Sequence, residues 1–346
     1  MADIKPDAND GLPADGGPIH AAAAGRVVKL GFGPGAFRLS LASAVFFSHV
    51  SRFDFGRPAV MAFFMLSGFW VARMQDGPHH QRYLGFLTSR FLRIWPQLAV
   101  AALAAYCAHR LFHLPIRGSL LSTLALIGLA TRGDDIVGTI WSLDIEAQFY
   151  LLLPPILYFK SLISNPRSLL LMAAASFGLG CALFLSTGGI TAFLYFPMFA
   201  VGLSVYLLNW RMRGDLTFGL FAAALLAITV LTIPALHFTS RSHFQRDIVF
   251  MAVTLLVGPF VAWNVRQPSG LSDRLLGNLS YPFYLVHEPC IFVITSFGIS
   301  LATKILALAV SIPATALLYL GVDRPVDEIR ERLRIRSAPS LRPRSV

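Results

Sequence analysis

Charge is scarce in this chain. Only 14% of its 346 residues are Asp, Glu, Lys or Arg, against about 25% in a typical soluble domain. That leaves too few ionised side chains to coat a water-facing surface, and excludes an ordinary soluble enzyme. Disorder of the whole chain is excluded too, because 55% of the residues are hydrophobic and 12% aromatic, whereas disordered chains are polar and poor in aromatics. Cysteine is nearly missing. Cys107, Cys181 and Cys290 lie far apart in apolar stretches, which suits packing residues and offers neither a disulfide framework nor a metal cluster. No internal repeat is visible, and none of the inverted symmetry common in transporters.

What the chain has instead is apolar length. A bilayer core about 30 Å thick takes roughly 20 helical residues to cross. Stretches near that length run at 35–52, 58–75, 94–112, 140–160, 168–187, 190–209, 216–236, 248–264, 279–298 and 301–321. The sequence therefore predicts an all-α polytopic transmembrane bundle of about ten spans. A 13-residue apolar run at 119–131 is too short to cross and reads as re-entrant or interfacial. With the N-terminus in the cytoplasm, 21 Lys and Arg fall inside and 8 outside, the asymmetry expected of an N-in, C-in topology. Counting 119–131 as a span would invert every later loop and spoil it. Residues 1–34 read as a disordered cytosolic tail without the apolar core of a signal peptide, 35–322 as the membrane domain, and 323–346 as a basic cytosolic tail. That last tail opens as a short amphipathic helix whose expected contact is anionic lipid. The net charge of +11 sits mostly in gaps between apolar stretches, so membrane lipid is the expected partner and nucleic acid is not.

Charged groups inside a bilayer cost about 2.5–3.5 kcal/mol each on insertion scales, so polar residues within the spans are functional candidates. His49 ends the first stretch, in ASAVFFSHVSRFD. An imidazole titrates near neutrality and can take a proton from a hydroxyl, although a lone histidine at a membrane boundary is more often a structural donor. Arg38 lies eleven residues earlier, three helical turns, which puts both on one face about 16 Å apart. That suits one group at a cytosolic mouth and one deep in a cavity; it equally suits an arginine that only anchors the span. In SRFLRIWPQL, Arg90 and Arg93 neighbour each other on a helix face. Paired guanidinium groups match phosphate geometry, and arginines before an apolar helix are also a common orientation signal. TIWSLDIEAQFYLLLPPIL sets Asp144, Glu146 and Gln148 in an otherwise apolar span, where a buried carboxylate needs Arg or His, for structure or for function. GNLSYPFYLVHEP spaces Ser280, Tyr284 and His287 at i, i+4, i+7, a polar stripe on one helix face expected to meet a cavity rather than lipid.

Taken in order, these segments resemble the acyltransferase-3 family of membrane-bound O-acyltransferases, which acylate polysaccharides, lipopolysaccharide, peptidoglycan precursors and some small natural products. Arg38 and His49 resemble its arginine, ten residues, histidine motif. FFMLSGFWV at 63–71 is similar to its FFVLSGFLI signature, and Arg90 and Arg93 to its Arg-x-x-Arg pair. WSLDIEAQFYLLLP resembles WSLSVEEQFYLLLP, and LGNLSYPFYLVHEP resembles LGxISYxxYLWHxP. Each motif alone is weak; five in order, across most of the chain, are specific. The sequence departs at Ala59, Val60 and Met61, where the family has Gly-Val-Asp, and at Ala147, which replaces the second of two glutamates and leaves Glu146 as the carboxylate.

The resemblance implies acyl-CoA as co-substrate, most often acetyl-CoA, docked from the cytosol with its phosphates on Arg90 and Arg93 and Arg38 assisting. No metal is implied. His49, polarised by Glu146 or Asp54, would act as general base on an acceptor hydroxyl or carry the acyl group as a transient acyl-histidine. Ser280, Tyr284 and His287 would line the cavity as orienting or oxyanion-stabilising donors. The implied acceptor is a cell-envelope glycan or glycolipid, with a small natural product such as a macrolide as the alternative, and the implied location a bacterial inner membrane. No fused extracytoplasmic domain is expected. Two other classes fit the composition. A transporter or flippase of a lipid-linked sugar would use the polar stripe but has no need of a cytosolic arginine pair or a histidine base. A non-enzymatic scaffold would leave the insertion cost of the buried His, Glu and Arg without a purpose.

Overall fold

The computed structural model describes residues 32–76, 83–116, 118–233 and 242–337. Most of the expected N-terminal tail and the end of the C-terminal one lie outside the described residues. Among those described, all regular structure is helical. The chain forms α1 (Pro34–Val50), α2 (Gly56–Asp76), α3 (Tyr83–Leu111), the short α4 (Leu120–Ala125) and α5 (Leu129–Arg132), and α6 (Trp141–Tyr158). It continues through α7 (Lys160–Ile163), α8 (Pro166–Thr187), α9 (Ala192–Leu207) and α10 (Gly214–Leu231). Then come α11 (His243–Thr254), α12 (Gly258–Asn264), α13 (Leu271–Thr295), α14 (Leu301–Leu318) and α15 (Arg324–Ser337).

Each of the ten apolar stretches overlaps a helix. Among the described residues, five helical segments are long and apolar enough to cross a membrane: Tyr83–Leu111, Pro166–Thr187, Gly214–Leu231, Phe244–Asn264 and Leu301–Arg330. Their outer faces carry bare leucines, among them Leu171, Leu185 and Leu317, each at least 70% exposed, a surface that lipid tolerates and water does not. The remaining long helices fall short for identifiable reasons. With 17 and 16 residues, α1 and α9 are short; α2 carries Arg57, Arg73 and Asp76, and α6 and α13 carry the polar groups singled out above. The 119–131 run forms α4 and α5, of 6 and 4 residues, far below the roughly 20 needed to cross. Two helices start well ahead of their expected spans. Helix α13 begins at Leu271 rather than 279, and α3 begins at Tyr83, so Arg90 and Arg93 lie within a helix rather than ahead of one.

Within lipid, helices associate by close packing rather than by a hydrophobic drive, and the interior shows it. Phe199 on α9 stacks on Phe149 of α6 at 3.9 Å and on Phe64 of α2 at 4.8 Å, contacts worth about 0.5–1.5 kcal/mol per pair. A second seam joins α1 to α13. The Asp273 carboxylate accepts the Gly35 amide at 3.1 Å and the Ala36 amide at 2.8 Å, satisfying two of the four orphan N–H groups at the start of α1. Gly35 permits this approach, because a Cβ there would fall 1.7 Å from the Asp273 carbonyl oxygen. The two helices thus begin together and run parallel, so residues at equal distance along them meet: His49 lies level with His287 and Glu288.

Candidate active site

A cavity of about 390 Å³ lies between α1, α2, α3, α6, α13 and α15. Arg38, Arg90, Arg93, Glu146, Ser280 and Tyr284 all line it. Local geometry explains why they converge. On α3 the two arginines are one turn apart and share a face. On α6, Ser142, Glu146 and Tyr150 follow at four-residue steps and present a polar edge to the same space. The other two polar residues of that span turn elsewhere. Asp144 accepts the Ala130 amide and the Gln148 side-chain amide, both at 3.0 Å, and Gln148 accepts the Ala192 amide at 2.9 Å. They tie α6 to α5 and α9.

Positive charge dominates the cavity wall. Glu146 accepts hydrogen bonds from Ser67 Oγ at 2.7 Å and Tyr150 Oη at 2.6 Å. Arg93 reaches Asp323 at 3.2 Å and Asp327 at 3.6 Å and lies over the Tyr281 ring. The Arg90 guanidinium touches Met74 Sδ at 2.8 Å and lies over Tyr150, and its buried Nε has no partner. Tyr284 donates to the Thr139 carbonyl at 2.9 Å and shares a 2.7 Å hydrogen bond with Ser142. The Ser280 hydroxyl turns back to the Gly277 carbonyl at 2.6 Å, so its proton is already committed.

The histidines form a second group, one turn of α13 beyond Tyr284 and outside that lining. His287 is fully buried, with Nδ1 3.1 Å from the Phe283 carbonyl. A hydrogen bond there makes Nδ1 the donor and leaves Nε2 an acceptor, and Nε2 has no partner. The His49 ring stands 5.4 Å from the His287 ring, with its Nε2 3.7 Å from a Glu288 carboxylate oxygen. Below Glu288 runs the loop before α6, where Gly138 takes a φ of +92° and a Cβ would lie 2.3 Å from the Glu288 carboxyl carbon. Asp135 in the same loop accepts the Gly138 amide, and burial pushes its carboxyl above the usual range.

Of the residues singled out in the sequence, six meet in the cavity. His49 and His287 meet each other, while Asp54 is held by Arg246 and Ser48 Oγ, each at 3.4 Å, and acts on His49 through space. The carboxylate within ion-pair reach of His49 is Glu288, rather than Glu146 or Asp54. Four contributors were not legible beforehand. Tyr150 and Ser67 had a signal, one turn beyond Glu146 and inside the FFMLSGFWV segment respectively. Glu288 adjoined His287 in the quoted motif. Arg330, which lines the cavity from α15, had none, because the tail read as a surface element.

The model of the acyltransferase domain family matches residues 25–322, a stretch that contains α1 through α14 and every cavity residue except Arg330. No curated protein and no solved structure matches the chain. With most of its length under that one match and its apolar helices long enough to cross a bilayer, the chain belongs to the acyltransferase-3 family and is an integral-membrane acyltransferase.

Proposed function

We propose that this protein is an O-acyltransferase that takes an acyl group, acetyl in the simplest case, from acyl-CoA and passes it to a hydroxyl of a cell-envelope glycan or glycolipid. The observation that carries the reading is the convergence of Arg38, Arg90 and Arg93 on one cavity inside a membrane bundle. Uncompensated cations in such a place are costly, and an anionic ligand that enters and leaves supplies the missing charge. Guanidinium groups suit phosphate oxygens, and the phosphates of acyl-CoA fit that requirement. We take the chain to cross the membrane about ten times, N-in and C-in, in a bacterial inner membrane. The start of α1 and the arginine cavity then face the cytosol, where acyl-CoA is made.

The chemistry falls to His49. Arg38 and His49 lie about 16 Å apart on one helix, a distance that an extended pantetheine arm bridges. With its Nε2–H turned to Glu288, the His49 ring leaves Nδ1 as the base. It takes the proton of the acceptor hydroxyl, whose oxygen attacks the thioester carbonyl. The C–S bond breaks, and the departing thiolate takes the proton from the imidazolium. The 3.7 Å gap to Glu288 closes by less than about 1 Å to a hydrogen bond, a tightening usual when an empty site fills. Tyr284 and Ser142, whose protons go to each other and to the Thr139 carbonyl, line the wall and orient the acyl group.

The test is acetyl-CoA binding and slow hydrolysis by the detergent-purified chain. His49→Ala lowers turnover at least about 100-fold while binding changes less than about threefold. Arg90→Ala/Arg93→Ala abolishes binding. Retained turnover in His49→Ala removes the base assignment. Absent binding by folded wild type removes the donor assignment and brings forward a transporter.

A further inference from the structure

The cavity is completed by a segment outside the family match. That match ends at residue 322, and α15 follows. Between α14 and α15 the helix widens into a π-turn over Tyr319–Asp323, a distortion often found at functional sites. The turn delivers Asp323, 1% exposed, to Arg93 and to the Gln97 side-chain amide. One turn further on, Asp327 reaches the same arginine. These contacts dock α15 on α3 and bring Arg330 onto the cavity wall with Arg38, Arg90 and Arg93. The Arg330 side chain is only 17% exposed. It donates to Asp327, yet its buried Nε has no partner, and Arg90 and Arg93 both repel it.

A helix needed only as a lipid contact would turn its cations outward, toward headgroups. Here one cation is turned inward, against two others of the same sign, with a donor left unused. Of the three carboxylates nearby, Glu146 accepts from two hydroxyls, Asp323 is held by Arg93 and Gln97, and Asp327 is shared by Arg93 and Arg330. Four guanidinium groups thus face three carboxylates that already have partners. The surplus is positive, and the unused donors are Nε groups of Arg90 and Arg330.

We propose that α15 belongs to the donor site, with Arg330 a fourth guanidinium that binds a phosphate of acyl-CoA. The proposal rests on reading the cavity as the acyl-CoA site.

The experiment measures acetyl-CoA affinity of the full chain in neutral detergent, for wild type, Arg330→Gln and Asp327→Asn, with thermal unfolding to show that each is folded. Both variants break the Arg330–Asp327 ion pair, but only the first removes the cation. Arg330→Gln weakens acetyl-CoA binding about tenfold, the loss of one charge-assisted contact, and the penalty shrinks as salt rises. Asp327→Asn binds within about threefold of wild type. Equal weakening by both would mean that the pair only holds the helix, and would overturn the proposal. So would wild-type affinity in Arg330→Gln. A parallel arm titrates vesicles containing anionic phospholipid; an Arg330→Gln defect confined to vesicle binding assigns the arginine to lipid phosphate and overturns the proposal as well. Wild type that binds no acetyl-CoA removes the donor reading and this proposal together, whereas wild type that binds with an indifferent Arg330→Gln removes this one alone. If Arg330→Gln is unfolded, Arg330→Lys replaces it; keeping the charge without the fork, it binds more weakly than wild type, and binding equal to wild type overturns the proposal.

Discussion

The two ends of α1 meet opposite surroundings. Near its start, Arg38 looks into a buried space where cations outnumber acids and where Arg93 is fixed by two carboxylates. Near its end, His49 is partly exposed, and its carboxylate partner stands at 3.7 Å, beyond hydrogen-bond length. The arginine end pairs one cation tightly and leaves a surplus of positive charge to hold an anion; the histidine end is loosely held and able to exchange a proton. The difference teaches that binding and chemistry are separated along one helix. Damage at the first end should therefore register in stability and affinity, and damage at the second in turnover.

The sharpest way to break that comparison is at Arg93. Arg93→Ala leaves Asp323 buried without its cation, a loss of about 3 kcal/mol or more, read as a lower unfolding midpoint of the detergent-solubilised chain. Adding Asp323→Asn to that variant recovers at least half of the loss. If Arg93→Ala is as stable as wild type, the arginine end is not held by this pair and the contrast fails.

A smaller effect is expected at Glu288. Glu288→Ala lowers kcat about tenfold with KM within about twofold, because the side chain orients the His49 ring and does not touch the donor. Glu288→Gln, which can still accept from the ring, retains more activity than Glu288→Ala. A change confined to KM would move Glu288 to the binding end.

The smallest effect probes Gly138. Gly138→Ala puts a Cβ where the Glu288 carboxyl sits, at a φ of +92°, which costs about 1–2 kcal/mol of backbone strain. The expected readout is a lower unfolding midpoint together with a fall in kcat in the same direction as Glu288→Ala. Unchanged kcat would show that Glu288 keeps its place by other means.

Much of this was legible in the residues. Long apolar stretches locate helices because the bilayer forces every backbone group to bond within its own segment, so α1, α2 and α8 through α14 fall where the expected spans do. The arginine pair, Glu146 and the Ser280–Tyr284–His287 stripe were visible for a related reason: a polar group inside an apolar run carries a cost that marks it out. The pattern could not say which polar groups share a space. Asp144, Glu146 and Gln148 look alike in sequence, yet alternate residues on a helix point apart, and only Glu146 reaches the cavity. Asp54 was near His49 in sequence and is held by Arg246 in space.

By itself, then, the sequence determined that this protein is a membrane bundle of helices with arginines, a histidine and a buried carboxylate in its interior, because hydropathy and spacing are local properties of the chain. Only the tertiary structure decided the partners. That Glu288 stands beside His49 follows from the parallel packing of α1 on α13. That Arg330 joins Arg38, Arg90 and Arg93 follows from the docking of α15 on α3. Such contacts join residues hundreds of positions apart, and no local pattern encodes them; they arise when helices already formed choose the packing that leaves fewest charges unpaired.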